Sequence, residues 1–112
     1  MTDKLILEKI EHTAKIIINN PSANTWDLES LSELEKMIAA LNKDDDIFSL
    51  VITGQGEKFF SAGADLKVFH EGGKEAAKEM SNAFSNAFGA LSKFRGVSIA
   101  AINGFAMGGG LE

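Results

Sequence analysis

The chain has 112 residues, no cysteine and a formal net charge of −5, with 45% apolar and 24% charged residues. That bounds it to one small domain, excludes disulfides, thiolate metal sites and a cysteine nucleophile, and, without a basic stripe, argues against nucleic acid as a partner. No stretch reaches the roughly 18 continuous apolar residues of a membrane span, and Met1-Thr2-Asp3-Lys4 lacks the basic start and apolar middle of a signal peptide, so a cytoplasmic protein with no membrane partner is expected.

Leu5, Leu7 and Ile10 mark a first strand over Lys4–Ile10, Glu11-His12-Thr13 a polar break, and Ala14–Ile18 a second, isoleucine-rich strand. Two such runs around a short turn predict a hairpin. Asn19-Asn20-Pro21-Ser22-Ala23-Asn24 reads as a loop. Leu28, Leu31, Leu34, Met37, Ile38 and Leu41 recur at helical spacing, with Asp27 or Thr25 as the cap and Asp44-Asp45-Asp46 as a solvated end. Phe48–Thr53 reads as a buried strand closed by Gly54-Gln55-Gly56, and Lys58–Asp65 as a glycine-containing loop. Lys74–Phe94 is helical in pattern, with Met80, Phe84, Phe88 and Leu91 on one side; Val97–Ile102 is another apolar strand. Alternating strands and helices make the class α/β.

Two glycine-marked segments carry the chemistry. In Phe60-Ser61-Ala62-Gly63-Ala64-Asp65-Leu66, Gly63 can take dihedrals closed to other residues and small neighbours let the backbone approach a ligand. Such a turn can aim the Ala64 N–H into a cleft, although on this segment alone a tight packed loop is the simpler reading. The second, Asn103-Gly104-Phe105-Ala106-Met107-Gly108-Gly109-Gly110-Leu111-Glu112, places three glycines where a helix would start near Gly109. Free N–H groups at a helix start suit an anion or a carbonyl oxygen gaining charge; close packing on a sheet is the competing reading. The spacing is neither the dinucleotide fingerprint nor a phosphate loop.

Together these segments resemble the crotonase (enoyl-CoA hydratase/isomerase) superfamily, in which a loop of form F-S-A-G-A-D-L precedes A-x-N-G-x-A-x-G-G-G-x-E. Here they are Phe60–Leu66 and Ala101–Glu112, and Asn20-Pro21-Ser22-Ala23-Asn24 is similar to the family's early N-P-P-A-N. The match is spread over nearly the whole chain and covers less than half of the family's usual catalytic module. Residues 1–112 are therefore expected to be the N-terminal part of a crotonase-like domain, a spiral of ββα units.

The resemblance implies that an acyl-CoA thioester carbonyl sits between the backbone N–H groups of Ala64 and Gly109. Losing one preorganised donor of this kind typically raises a barrier by about 3–4 kcal/mol. Glu112 falls where family hydratases carry one of two catalytic glutamates, and would orient or deprotonate the added water. On residues alone Glu112 reads rather as a first-turn glutamate favoured by the helix dipole, and it is the motif that turns the reading to catalysis. By analogy the CoA moiety lies along Ser22, Ala23, Asn24, Ala62, Asp65 and Leu66, with Asp65 equally able to cap its own loop and Lys67 either meeting a CoA phosphate or simply solvated.

No separate cofactor is implied, since coenzyme A is part of the substrate, and trimers or hexamers are usual in the family. His12 and His70 lack ligand-spaced partners, so no metal site is expected; Trp26, Phe84 and Phe88 read as core or subunit contacts. The family's second glutamate and much of its acyl pocket lie beyond Glu112, so the 112 residues alone are expected to show little hydratase activity. Enoyl-CoA hydratase is the reading Glu112 favours. An enoyl-CoA isomerase or other crotonase-family acyl-CoA enzyme, or a non-catalytic fragment, is the alternative.

Overall fold

The structure, a computed structural model, describes residues 3–112, apart from the side chains of Val68 and Phe69. β1 (Leu5–Ile10) and β2 (Thr13–Ile18) form the expected antiparallel hairpin, in register from Leu5↔Ile18 to Ile10↔Thr13. The turn is Glu11-His12, with Glu11 at φ +54, so Thr13 belongs to the strand rather than to the break. His12 Nδ1 lies 2.8 Å from Asp46 O, and its ring stacks on Phe48 at 4.6 Å.

β3 (Thr25–Trp26) is followed by α1 (Leu28–Asn42), then β4 (Ser49–Gly54), β5 (Phe59–Ser61) and β6 (Gly63–Ala64). The segment read as a loop, 58–65, thus contains two short strands. α2 (Leu66–Ser92), β7 (Val97–Ala100), β8 (Phe105–Ala106) and a three-residue 3-10 turn at Gly108–Gly110 complete the chain. The main sheet has the order β1-β2-β4-β7. β2, β4 and β7 run parallel, which requires the two helical crossovers α1 and α2. Two small parallel pairs, β3-β6 and β5-β8, stand beside it.

Ala14, Ile16 and Ile18 of β2 and Leu50 and Ile52 of β4 share the sheet face covered by Leu31, Leu34, Ile38 and Leu41 of α1 and Met80 and Ala87 of α2. Burial of these apolar side chains is the main source of stability, at roughly 1.5–3 kcal/mol for each large one. Phe48 lies outside this core. It precedes β4 and is exposed, and β7 is exposed along its whole length at the sheet edge.

Asp27, not Thr25, caps α1: its carboxylate accepts from Ser30 N at 2.9 Å while Ser30 Oγ accepts from Asp27 N at 3.0 Å. Lys4 Nζ reaches Asp27 at 2.6 Å and Glu29 at 2.7 Å, tying the start of β1 to this helix start. Burial alone would raise the Asp27 carboxyl, but the hydrogen bonds from Lys4 and Ser30 outweigh it and hold the group below its ordinary value. At the other end of α1, Arg95 Nε donates to Asn42 O at 2.9 Å and the guanidinium also reaches Ile47 O at 2.7 Å and Asp44 O. Asp44 is not simply solvated. It accepts from Lys9 Nζ at 3.0 Å and from Asp46 N at 3.1 Å, and these bonds lower its pKa.

The spacing predicts a helix over 74–94, whereas α2 begins eight residues earlier, at Leu66, and ends at Ser92. Gly73, at φ +62 and ψ −141, interrupts it, so the apolar periodicity belongs only to the portion after that break. The earlier portion starts at Asp65, whose carboxylate accepts from Lys67 N at 3.1 Å. Among the described residues no helix is long and apolar enough to cross a membrane.

Candidate active site

Three distant segments meet at the site. Ala62 donates to Ala23 O at 3.0 Å, Asp65 to Trp26 O at 2.8 Å and Met107 to Ser61 O at 3.0 Å. Segments 20–26, 59–65 and 103–112 are thereby laced together through their backbones. Two asparagine side chains tighten the lacing. Asn24, 2% exposed, donates to Gln55 O at 3.1 Å and Phe59 O at 3.0 Å. Asn103 accepts from Gly54 N at 2.9 Å and donates to Gly56 O at 2.9 Å and Phe59 O at 3.2 Å.

N–H directions alternate along a strand. Because Asp65 turns its N–H toward β3, Ala64 turns its own toward the opposite edge of β6. β6 lies against the Gly108–Gly110 turn. A Cβ on Gly63 would stand 2.9 Å from both Gly109 N and Met107 O. Within the turn the first bonds are Gly110 N to Met107 O at 2.8 Å and Leu111 N to Gly108 O at 3.1 Å. Gly109 N–H precedes them and has no acceptor inside the turn.

The expected helix start near Gly109 is this three-residue turn. Its free N–H groups are what it offers to the cleft. Backbone geometry and packing account for two of the three glycines: Gly108 sits at φ +53 and a Gly110 Cβ would overlap Ser61 O, whereas a Gly109 Cβ would meet the Phe84 ring at 2.6 Å. Close packing, the competing reading, is thus present at these glycines, and it also brings the Gly109 backbone to the cleft.

Ala64, Gly109 and Glu112 line one cleft of about 550 Å³, whose other wall is the α2 face carrying Ser81, Phe84, Ser85 and Phe88. Ala64 and Gly109 also line an adjoining cleft of about 520 Å³ together with Ala62, Asp65, Leu66 and Lys67. The two glycine-marked segments thus stand at the junction of two clefts. Ser22 is exposed and Ala23 half-buried, and neither lines these clefts. The Asn24 side chain is committed to internal hydrogen bonds, and Asp65 caps α2 while also lining the second cleft.

Sequence reasoning missed the wall of the first cleft. Phe84 and Phe88 are half-buried, packing on the core as expected and also walling this cleft, while Trp26, 1% exposed, is a core residue. Serines 81 and 85 at the same helical spacing were the available signal, because a purely core-facing stripe would not carry them. The bonding role of Asn103 is not legible in the sequence, because its partners Gly54 and Phe59 lie 49 and 44 residues away.

Comparison with known proteins agrees with this geometry. The family model described as Enoyl-CoA hydratase/isomerase matches residues 8–112. A crotonyl-CoA hydratase of Syntrophomonas wolfei is 37% identical over 111 residues, covering 98% of this chain and 43% of the relative. A short-chain-enoyl-CoA hydratase of Clostridium acetobutylicum is 34% identical, covering 98% of this chain and 42% of the relative. The solved structure of Pseudomonas aeruginosa DspI superposes with a TM-score of 0.96 at 64% identity, covering 98% of this chain and 45% of that one. The chain spans less than half the length of these relatives. With matching motifs, topology and family model, the chain belongs to the enoyl-CoA hydratase/isomerase family and has the crotonase fold.

Proposed function

We propose that the protein is an enoyl-CoA hydratase, to which these residues contribute the oxyanion-binding portion and one of the carboxylates. The observation that carries this reading is the convergence of Ala64, Gly109 and Glu112 on one cleft. The Ala64 and Gly109 N–H groups receive the thioester oxygen, and the adjoining cleft past Ala62, Asp65 and Leu66 takes the CoA arm. Lys67 on its rim faces the phosphates. Ser22, Ala23 and Asn24 support that cleft from beneath through the Ala23–Ala62 bond. Hydroxide equivalent from water adds to the β-carbon and a proton to the α-carbon, with charge passing through the enolate oxygen held by the two donors. Glu112 orients and deprotonates the water.

The substrate is a 2-enoyl-CoA of fatty acid or related acyl-CoA metabolism, and no separate cofactor takes part. We further propose a cytoplasmic homotrimer or hexamer with no nucleic-acid or membrane partner.

In the full-length protein, Glu112→Gln is expected to lower crotonyl-CoA hydration about a hundredfold or more while acyl-CoA still binds. Unchanged turnover would remove Glu112 from the mechanism. Conversion of a 3-enoyl-CoA without water addition by the unaltered protein would move the reading to an isomerase.

A further inference from the structure

We infer that Phe84 is a positioning residue for the Gly109 donor, and that the aromatic row Phe84–Phe88–Trp26 joins the two halves of the oxyanion site. The inference rests on Ala64 and Gly109 being the oxyanion donors. Gly109 is not among the glycines with a left-handed φ, so backbone dihedrals do not explain why it lacks a side chain. What a side chain there would meet is the Phe84 ring. A Cβ at Gly109 would lie 2.6 Å from Phe84 Cε1 and 3.0 Å from Cζ. The ring therefore rests directly on the Gly109 backbone. The turn that carries Gly109 meets the backbone of Gly63 and Ser61 on one side, and the Phe84 ring closes it in from the α2 side, so this contact helps set where the Gly109 N–H stands.

The row continues from there. Phe84 meets Phe88 edge-on at 5.2 Å and 78°, and Phe88 meets Trp26 at 5.7 Å and 80°. Trp26 is buried, pairs with Ala64 between β3 and β6, and accepts the Asp65 N–H beside it. One end of the row thus presses on the Gly109 segment and the other is part of the strand pair that holds Ala64. Interlocked rings of this kind have little freedom to shift singly. An oxyanion site needs such rigidity, since a donor displaced by about 1 Å can cost about a hundredfold in rate.

The test is made on the full-length protein with Phe84→Leu and Phe84→Met, followed by crotonyl-CoA kinetics and by infrared spectroscopy of carbonyl-labelled butyryl-CoA, which binds without reacting. Both variants should lose about ten- to a hundredfold in kcat, with butyryl-CoA affinity held within about threefold. The bound carbonyl stretch should move back toward that of free thioester. An unchanged stretch with altered KM would make Phe84 a mere lining residue and overturn the inference. So would failure of both variants to fold, which would make the ring structural only. If the unaltered protein itself leaves the carbonyl stretch unshifted, the reading of Ala64 and Gly109 as donors fails instead.

Discussion

Gly63 shows how much of the site hangs on a single missing side chain. Its φ of +94 is closed to L-residues other than at a cost, and a Cβ there would press on Gly109 N and Met107 O at 2.9 Å. Both neighbours are backbone atoms and cannot swing away. Gly63→Ala is therefore expected to destabilise the fold by about 1–2 kcal/mol from the dihedral alone. It should also lower turnover about a hundredfold by moving a donor. Thermal unfolding and crotonyl-CoA kinetics on the full-length variant check the two effects separately; wild-type turnover would show that the Gly63–Gly109 approach is not needed for catalysis. The need for glycine at position 63 was legible in the sequence as a motif. The neighbour that imposes it was not, because Gly109 lies in another segment and only the fold brings it near.

At the scale of elements, α1 was read almost completely from its sequence. Its apolar spacing, its acidic start and its end before Asp44 all follow from local rules, and the structure adds that Asp27 and Ser30 cap each other. α2 was read only in part. Its first portion has no apolar stripe to announce it, and Asp65, which caps it, also lines a cleft.

The cap yields a pH prediction. The folded-state pKa of Asp27 lies below its ordinary 3.8, so the stabilisation is complete above about pH 4 and fades as pH falls through the folded value. Asp27→Ala should cost about 1 kcal/mol at neutral pH. Asp27→Asn should cost less, because asparagine also caps, and its difference from wild type should shrink as pH falls through the lowered folded-state value and the carboxylate is protonated. Urea midpoints measured across that range check this. A gap that persists at low pH would mean that charge on Asp27 does not contribute.

Across the whole molecule, order at the site comes from long-range backbone lacing more than from any local motif. Asn24 and Asn103 both donate to Phe59 O and both hold the 54–56 turn, from opposite ends of the sequence. Asn103→Ala removes three such bonds and should destabilise the protein by about 2 kcal/mol. Asn103→Asp keeps the acceptor for Gly54 N and should fall between, as chemical denaturation would show. Equal stability of Asn103→Ala and wild type would mean that solvent replaces these bonds freely.

The sequence by itself determined the α/β class, the hairpin, the apolar stripe of α1 and the two glycine segments, because each of these is set by neighbours a few residues apart. It also carried the family, through motifs whose order is readable without coordinates. Only the tertiary structure decided what packs against the glycines, which asparagine amides are spent on internal bonds, and that Phe84 and Phe88 wall a cleft while packing on the core. These depend on contacts between segments 20–26, 59–65, 80–88 and 103–112. No local propensity reports such contacts; they arise when β2, β4 and β7 align in parallel and bring the loops at the same end of the strands together.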